Sequence, residues 1–119
     1  MRSVRLLKAL IVSIITFSFV NLNAADYYWV GGTGNWSEFA THWAKSSGGA
    51  VFHATIPTAA DNVIFDDSSF TAAAQTVTID MMAACQNFTC TGVKFKPMIT
   101  GFNSLQVSGS IQLMTGMKF

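Results

Sequence analysis

Hydrophobic positions along this chain change their pattern once. Over residues 9–20 they run almost unbroken, interrupted only by Ser13, Thr16 and Ser18. From residue 27 onward they come in short bursts that alternate with polar residues, the pattern of half-buried β-strands. Tyr27-Tyr28-Trp29-Val30 is aromatic and β-branched and predicts a first strand. Gly31-Gly32-Thr33-Gly34-Asn35 predicts a turn, because its glycines accept backbone angles that other residues avoid. Residues 37–44 predict one or two helical turns, with Ser37 as N-cap and Phe39 and Trp43 on one face. Lys45-Ser46-Ser47-Gly48-Gly49 reads as a loop and Pro57-Thr58-Ala59-Ala60-Asp61 as another turn.

The later strands follow from strict alternation. Asn62-Val63-Ile64-Phe65-Asp66 puts Val63 and Phe65 on one face. Thr76-Val77-Thr78-Ile79-Asp80 points Val77 and Ile79 inward. Phe88 and Cys90 share a face, while Val93 and Phe95 take the opposite parity, with the switch at Gly92. Leu105, Val107, Ile111 and Leu113 point one way, with Gly109 between them. Asn87-Phe88-Thr89-Cys90-Thr91-Gly92 recurs seventeen residues on as Ser104-Leu105-Gln106-Val107-Ser108-Gly109. A strand–glycine–strand unit recurring near that length predicts rungs of a parallel β-solenoid (β-helix). The fold class is therefore all-β: the start of a solenoid with an aromatic N-terminal cap, or alternatively a β-sandwich. Two to three rungs are few for a stable stack, so the chain reads as the beginning of something longer.

The charge pattern accounts for the unbroken apolar run. Arg2, Arg5 and Lys8 precede it without an acid, and Asn21-Leu22-Asn23-Ala24 ends it in a small residue. Twelve helical residues rise about 18 Å, short of a hydrocarbon core of ~30 Å. Residues 1–24 therefore read as a secretory signal peptide, cleaved after Ala24 or, as the neighbouring option, after Ala25. An uncleaved membrane anchor is the alternative; once the signal is removed, no stable membrane span is expected. Residues 25–119 form the exported β-rich module, whose four lysines and six acids give a net charge of −2. With no basic patch, nucleic acid is not an expected partner.

Candidate chemistry is sparse. Cys85 and Cys90 stand five apart, about 16 Å along a strand. A disulfide needs Cα atoms within ~7 Å, so only a tight turn at Gln86-Asn87 would bridge them, and two small buried residues are the favoured alternative. His42 and His53 have no diagnostic metal spacing. Asp66-Asp67-Ser68 offers either oxygens for calcium or an Asx turn. No cofactor, metal or catalytic residue is assigned, and the chain is not expected to be an enzyme. Asn35-Trp36-Ser37 and Asn87-Phe88-Thr89 match the glycosylation sequon. All three tryptophans, Trp29, Trp36 and Trp43, fall within fifteen residues. Exposed, they would stack on sugar rings; buried, they would form the core of a small cap, which is the favoured reading.

The run Tyr28-Trp29-Val30-Gly31-Gly32-Thr33-Gly34-Asn35-Trp36-Ser37, followed by His42-Trp43, Asp61-Asn62-Val63, Phe65-Asp66 and Thr76-Val77-Thr78-Ile79-Asp80, carries a resemblance. It resembles the N-terminal region of large, secreted, adhesin-like surface proteins of Bacteroidetes, which commonly end in a type IX secretion sorting domain. The resemblance spans about residues 27–114, although Cys90 stands where a large aromatic residue is expected. It implies a β-helical or β-rich stalk without catalytic residues, at the cell surface or secreted. The expected function is a structural or adhesion module whose partner is the C-terminal continuation of the same protein. The alternatives are a carbohydrate-binding module for surface glycans, or an accessory segment of a secreted polysaccharide-degrading enzyme.

Overall fold

The structure is a computed structural model that describes residues 24–119. The signal segment expected over residues 1–24 lies outside the described residues except for Ala24. The described part is β-rich, with ten short strands and one turn of helix. Its first strand, β1 (Asp26–Trp29), buries Tyr27 and Trp29 and turns Tyr28 outward, as alternation requires. Gly31 and Gly32 then take positive φ, and β2 (Gly34–Asn35) follows. The expected turn thus ends in a short strand of its own. Helix α1 (Phe39–His42) leads directly into β3 (Trp43–Ala44).

Ser37 is not the N-cap. That position belongs to Glu38, which makes no side-chain cap bond. The reason is tertiary: the Ser37 amide and hydroxyl both donate to the carboxylate of Asp80, forty-three residues away. By donating its proton to this charged acceptor, the hydroxyl is turned toward Asp80 and away from the helix amides whose hydrogen bonds an N-cap would accept.

The remaining strands are β4 (Asn62–Phe65), β5 (Thr76–Thr78), β6 (Ala83–Cys85), β7 (Phe88–Cys90), β8 (Met98–Thr100), β9 (Leu105–Val107) and β10 (Ile111–Gln112). They form three small sheets. The largest is mixed and runs β10-β7-β4-β1-β3, parallel except for the antiparallel β1–β3 pair. A second sheet, β2-β5-β8, and a third, β6-β9, are wholly parallel. The inward rows are Tyr27, Val63 and Phe88 in the first sheet, which the exposed Ile111 continues in register at its edge, and Val77 and Ile99 in the second. Ala83 and Leu105 pair in the third. Val63, Phe65, Val77 and Cys85 are completely buried between the sheets.

Two further expectations need correction. Residues 93–95 form no strand: Phe95 is exposed and has φ +72°, and Lys96 has φ +48°. The chain turns outward here, and only Val93 packs against the core. The seventeen-residue repeat is also not the structural register. Phe88 pairs with Ile111 and Ala83 with Leu105, separations of 23 and 22 residues. Alternation is blind to this error, because Phe88 and Leu105 both sit at inward positions and match in pattern without being neighbours.

Candidate functional site

The aromatic cluster is built by the β1–β3 pair, which sets Trp29 opposite Trp43. Trp43 meets Trp29 and Trp36 edge-on at 4.9 Å each, and Tyr27 and Phe65 at 6.1 and 6.0 Å. Edge-to-face contacts of this kind place the positive ring edge over the negative ring face. Trp29 Nε1 donates to the Gly32 carbonyl and Trp43 Nε1 to the Trp36 carbonyl. Trp36 Nε1 is the one buried side-chain donor left unpaired among the described residues. Trp29, Trp36 and Trp43 are each 0% exposed, so none offers a face on which a sugar ring could stack.

Both histidines join this aromatic cluster. His42 is buried, stacks on Trp29 at 4.6 Å and hydrogen-bonds the Val30 carbonyl through Nδ1. Gly31 and Gly34 leave room for it, since a Cβ at either would press into the imidazole. His53 stacks on Tyr27 at 3.6 Å and its Nε2 lies 2.9 Å from the Asp26 carbonyl. Among the described residues, no group of three or more His, Cys, Asp or Glu side chains is placed to hold a metal ion. Asp66 closes an Asx turn: its Oδ1 accepts from the Ser68 amide at 3.0 Å, while its Oδ2 accepts from Ser47.

A polar row crosses the first sheet beside this core. Asn62 Nδ2 donates to Asp26 Oδ1, and Asn87 Nδ2 donates to Asn62 Oδ1, both at 2.9 Å. Ser110 then donates to Asn87 Oδ1 through both its amide and its hydroxyl. Each member stands one position ahead of an apolar residue of one register row: Asp26 before Tyr27, Asn62 before Val63, Asn87 before Phe88 and Ser110 before Ile111. That recurrence was the sequence signal for the true register. Asn87→Ala removes a donor and an acceptor at once and is expected to cost about 2 kcal/mol in urea denaturation. A loss no larger than that of an exposed Asn→Ala change would show that the row does not hold the strands together.

Cys85 and Cys90 are free and buried. Burial pushes the Cys85 thiol up to about 11 and the Cys90 thiol up to about 12, from an ordinary 9.0. Unfolded thiols therefore lose their protons first as pH rises. The stability tied to these thiols is complete below about pH 9 and lost as pH climbs through about 11 to 12. Thiol labelling of the native protein near neutral pH should proceed only as fast as the protein opens. Rapid stoichiometric labelling would contradict the buried placement.

One further arrangement was invisible in the sequence. A bridge between Met98 and Lys118 brings Lys118 to the edge of the second sheet. There Lys96 and Lys118 line an open groove of about 310 Å³ together with Ala74, Gln75, Thr76 and Met98. No helix among the described residues is long and apolar enough to cross a membrane. Comparison of the chain with protein-family models, with curated proteins and with solved structures finds no match.

Proposed function

We propose that this chain is a non-catalytic structural module of a secreted bacterial surface protein. Its strands are the first turns of a parallel β-solenoid, and the buried tryptophans cap one end. The observation that carries this reading is the contrast between the two ends of the first sheet. At one end the antiparallel β3 lies along β1 and is itself bridged by Phe52. At the other, β10 pairs only with β7 among the described residues. Ile111 and Leu113 there are 59% and 53% exposed. A bare strand edge flanked by apolar side chains is a template for further pairing, and the continuation of the same protein is the proposed occupant. Parallel pairs between strands 22 to 25 residues apart also favour the solenoid over the sandwich, whose neighbouring strands run antiparallel.

Sequencing the gene past the Phe119 codon tests this directly. More strand–turn units at 22- to 25-residue spacing and a sorting domain are expected, whereas a stop codon or a catalytic domain directly after Phe119 would overturn the proposal. Mass spectrometry of the exported product should find a new N-terminus at Ala25 or Asp26. A product that keeps Met1 and stays in the membrane would remove the secretion part of the reading. Tryptophan emission should be blue-shifted and unchanged by added polysaccharide.

A further inference from the structure

Asp61 is 9% exposed, and its carboxylate is held in a fixed orientation just ahead of β4. Oδ2 accepts from the Thr58 amide at 2.8 Å and the Thr58 hydroxyl at 2.9 Å. The Asp61 backbone is pinned as well, its amide donating to the Thr58 carbonyl and its carbonyl accepting from Gln86. This leaves Oδ1 facing the backbone nitrogen of Ala25 at 3.2 Å. The placement follows from register: Asp26 pairs with Asn62, so Ala25 falls beside Asp61, and the Asn62 amide donates to the Ala25 carbonyl.

Every donor to this carboxylate is neutral. The four lysines that follow the signal segment, Lys45, Lys94, Lys96 and Lys118, are all exposed, and none is among its donors. Asp66, equally buried, is likewise held by neutral serine donors, but only Asp61 faces a backbone nitrogen that chain processing can turn into a cation, and a buried carboxylate gains from such a partner. The chain would acquire one by a single peptide-bond cleavage, between Ala24 and Ala25. Hydrolysis of that bond leaves a carboxylate on Ala24 and a free amine on Ala25. Below about pH 7.7 the amine is mostly protonated.

We propose that Asp61 is the binding site for the α-ammonium group that signal removal creates at Ala25. The ion pair would strengthen the existing tie between the start of β1 and β4 in the processed chain alone. The inference rests on the secretion reading given above and adds the partner of the new terminus.

Two measurements separate the two ideas. The first is the N-terminus of the exported product, read by mass spectrometry. A start at Ala25 is expected; a start at Asp26 or later removes the group that Asp61 would bind and overturns the proposal, while leaving secretion intact. The second compares denaturation of a chain starting at Ala25 with one that retains Ala24, near pH 6.5. The Ala25 form should have an unfolding equilibrium constant about tenfold lower, since a charge-assisted bond is about twice as strong as the neutral one it replaces. In the Asp61→Asn background that difference should vanish, although both forms still fold. Equal stability of the two wild-type forms, or a difference that survives Asp61→Asn, would overturn the assignment.

Discussion

Trp43→Ala is expected to lower the unfolding free energy by about 4 kcal/mol, the range for removing a large buried aromatic side chain. The ring is completely buried and touches four other aromatic residues. Neighbouring side chains have little freedom to collapse into the space, because Trp29 is held by strand pairing and the Trp36 amide is bonded to the Thr78 carbonyl. Two milder variants separate the ring from its polar handle. Trp43→Phe leaves the Trp36 carbonyl without its partner, whereas Trp36→Phe deletes a donor that has none. Trp43→Phe should therefore cost more, by about 1 to 2 kcal/mol in guanidinium denaturation. The reverse order would mean that the hydrogen bond is not a significant part of the cluster's stability. A Trp43→Ala loss below about 1 kcal/mol would mean that the cluster is not the core of this unit.

Gly101→Ala is expected to cost about 3 kcal/mol or more, a large loss for one methyl group. Gly101 has φ +139°, where side chains are rarely found, and follows the last residue of β8. A Cβ there would sit 2.5 Å from the Ile79 carbonyl oxygen and 2.9 Å from its nitrogen. Those are backbone atoms, and the Ile79 amide is bonded to the Thr100 carbonyl, so neither strand can retreat cheaply. Gly92 is the control. It also has positive φ, but its nearest neighbour would be Asp67 Cβ at 3.9 Å. Gly92→Ala should therefore carry only the left-handed backbone term, about 1 to 2 kcal/mol. Equal losses at both positions would exclude the close approach of the Gly101 and Ile79 backbones.

The alternating stretches show why part of this molecule was legible in its sequence. Val63, Phe65, Val77, Ile79, Phe88 and Cys90 are all buried, as their two-residue period requires. The tryptophans were recognisable as core because glycines and turn residues separate them. The alternation at Val93 and Phe95 misled for the opposite reason. A three-residue apolar–polar–apolar run is too short to outweigh a turn that places two consecutive residues at positive φ. Ser37 differs because a helix cap is a local signal, whereas the remote Asp80 carboxylate accepts its hydroxyl proton and turns the side chain away from the helix.

By itself the sequence determined the extended stretches β1, β4, β5, β7 and β9, since alternation depends on neighbours one or two residues away; β2, β3, β6 and β8 carried no such signal. It also carried the signal-like charge and hydropathy pattern of residues 1–24, on which the expectation of secretion rests. Only the tertiary structure decided which strand lies beside which. Alternation fixes a face and is satisfied equally by any even shift, whereas register is set by hydrogen bonds between residues far apart in the chain. The row from Asp26 through Asn62 and Asn87 to Ser110 accompanies that register. So does the position of Ala25 against Asp61, thirty-six residues away, which no local pattern encodes.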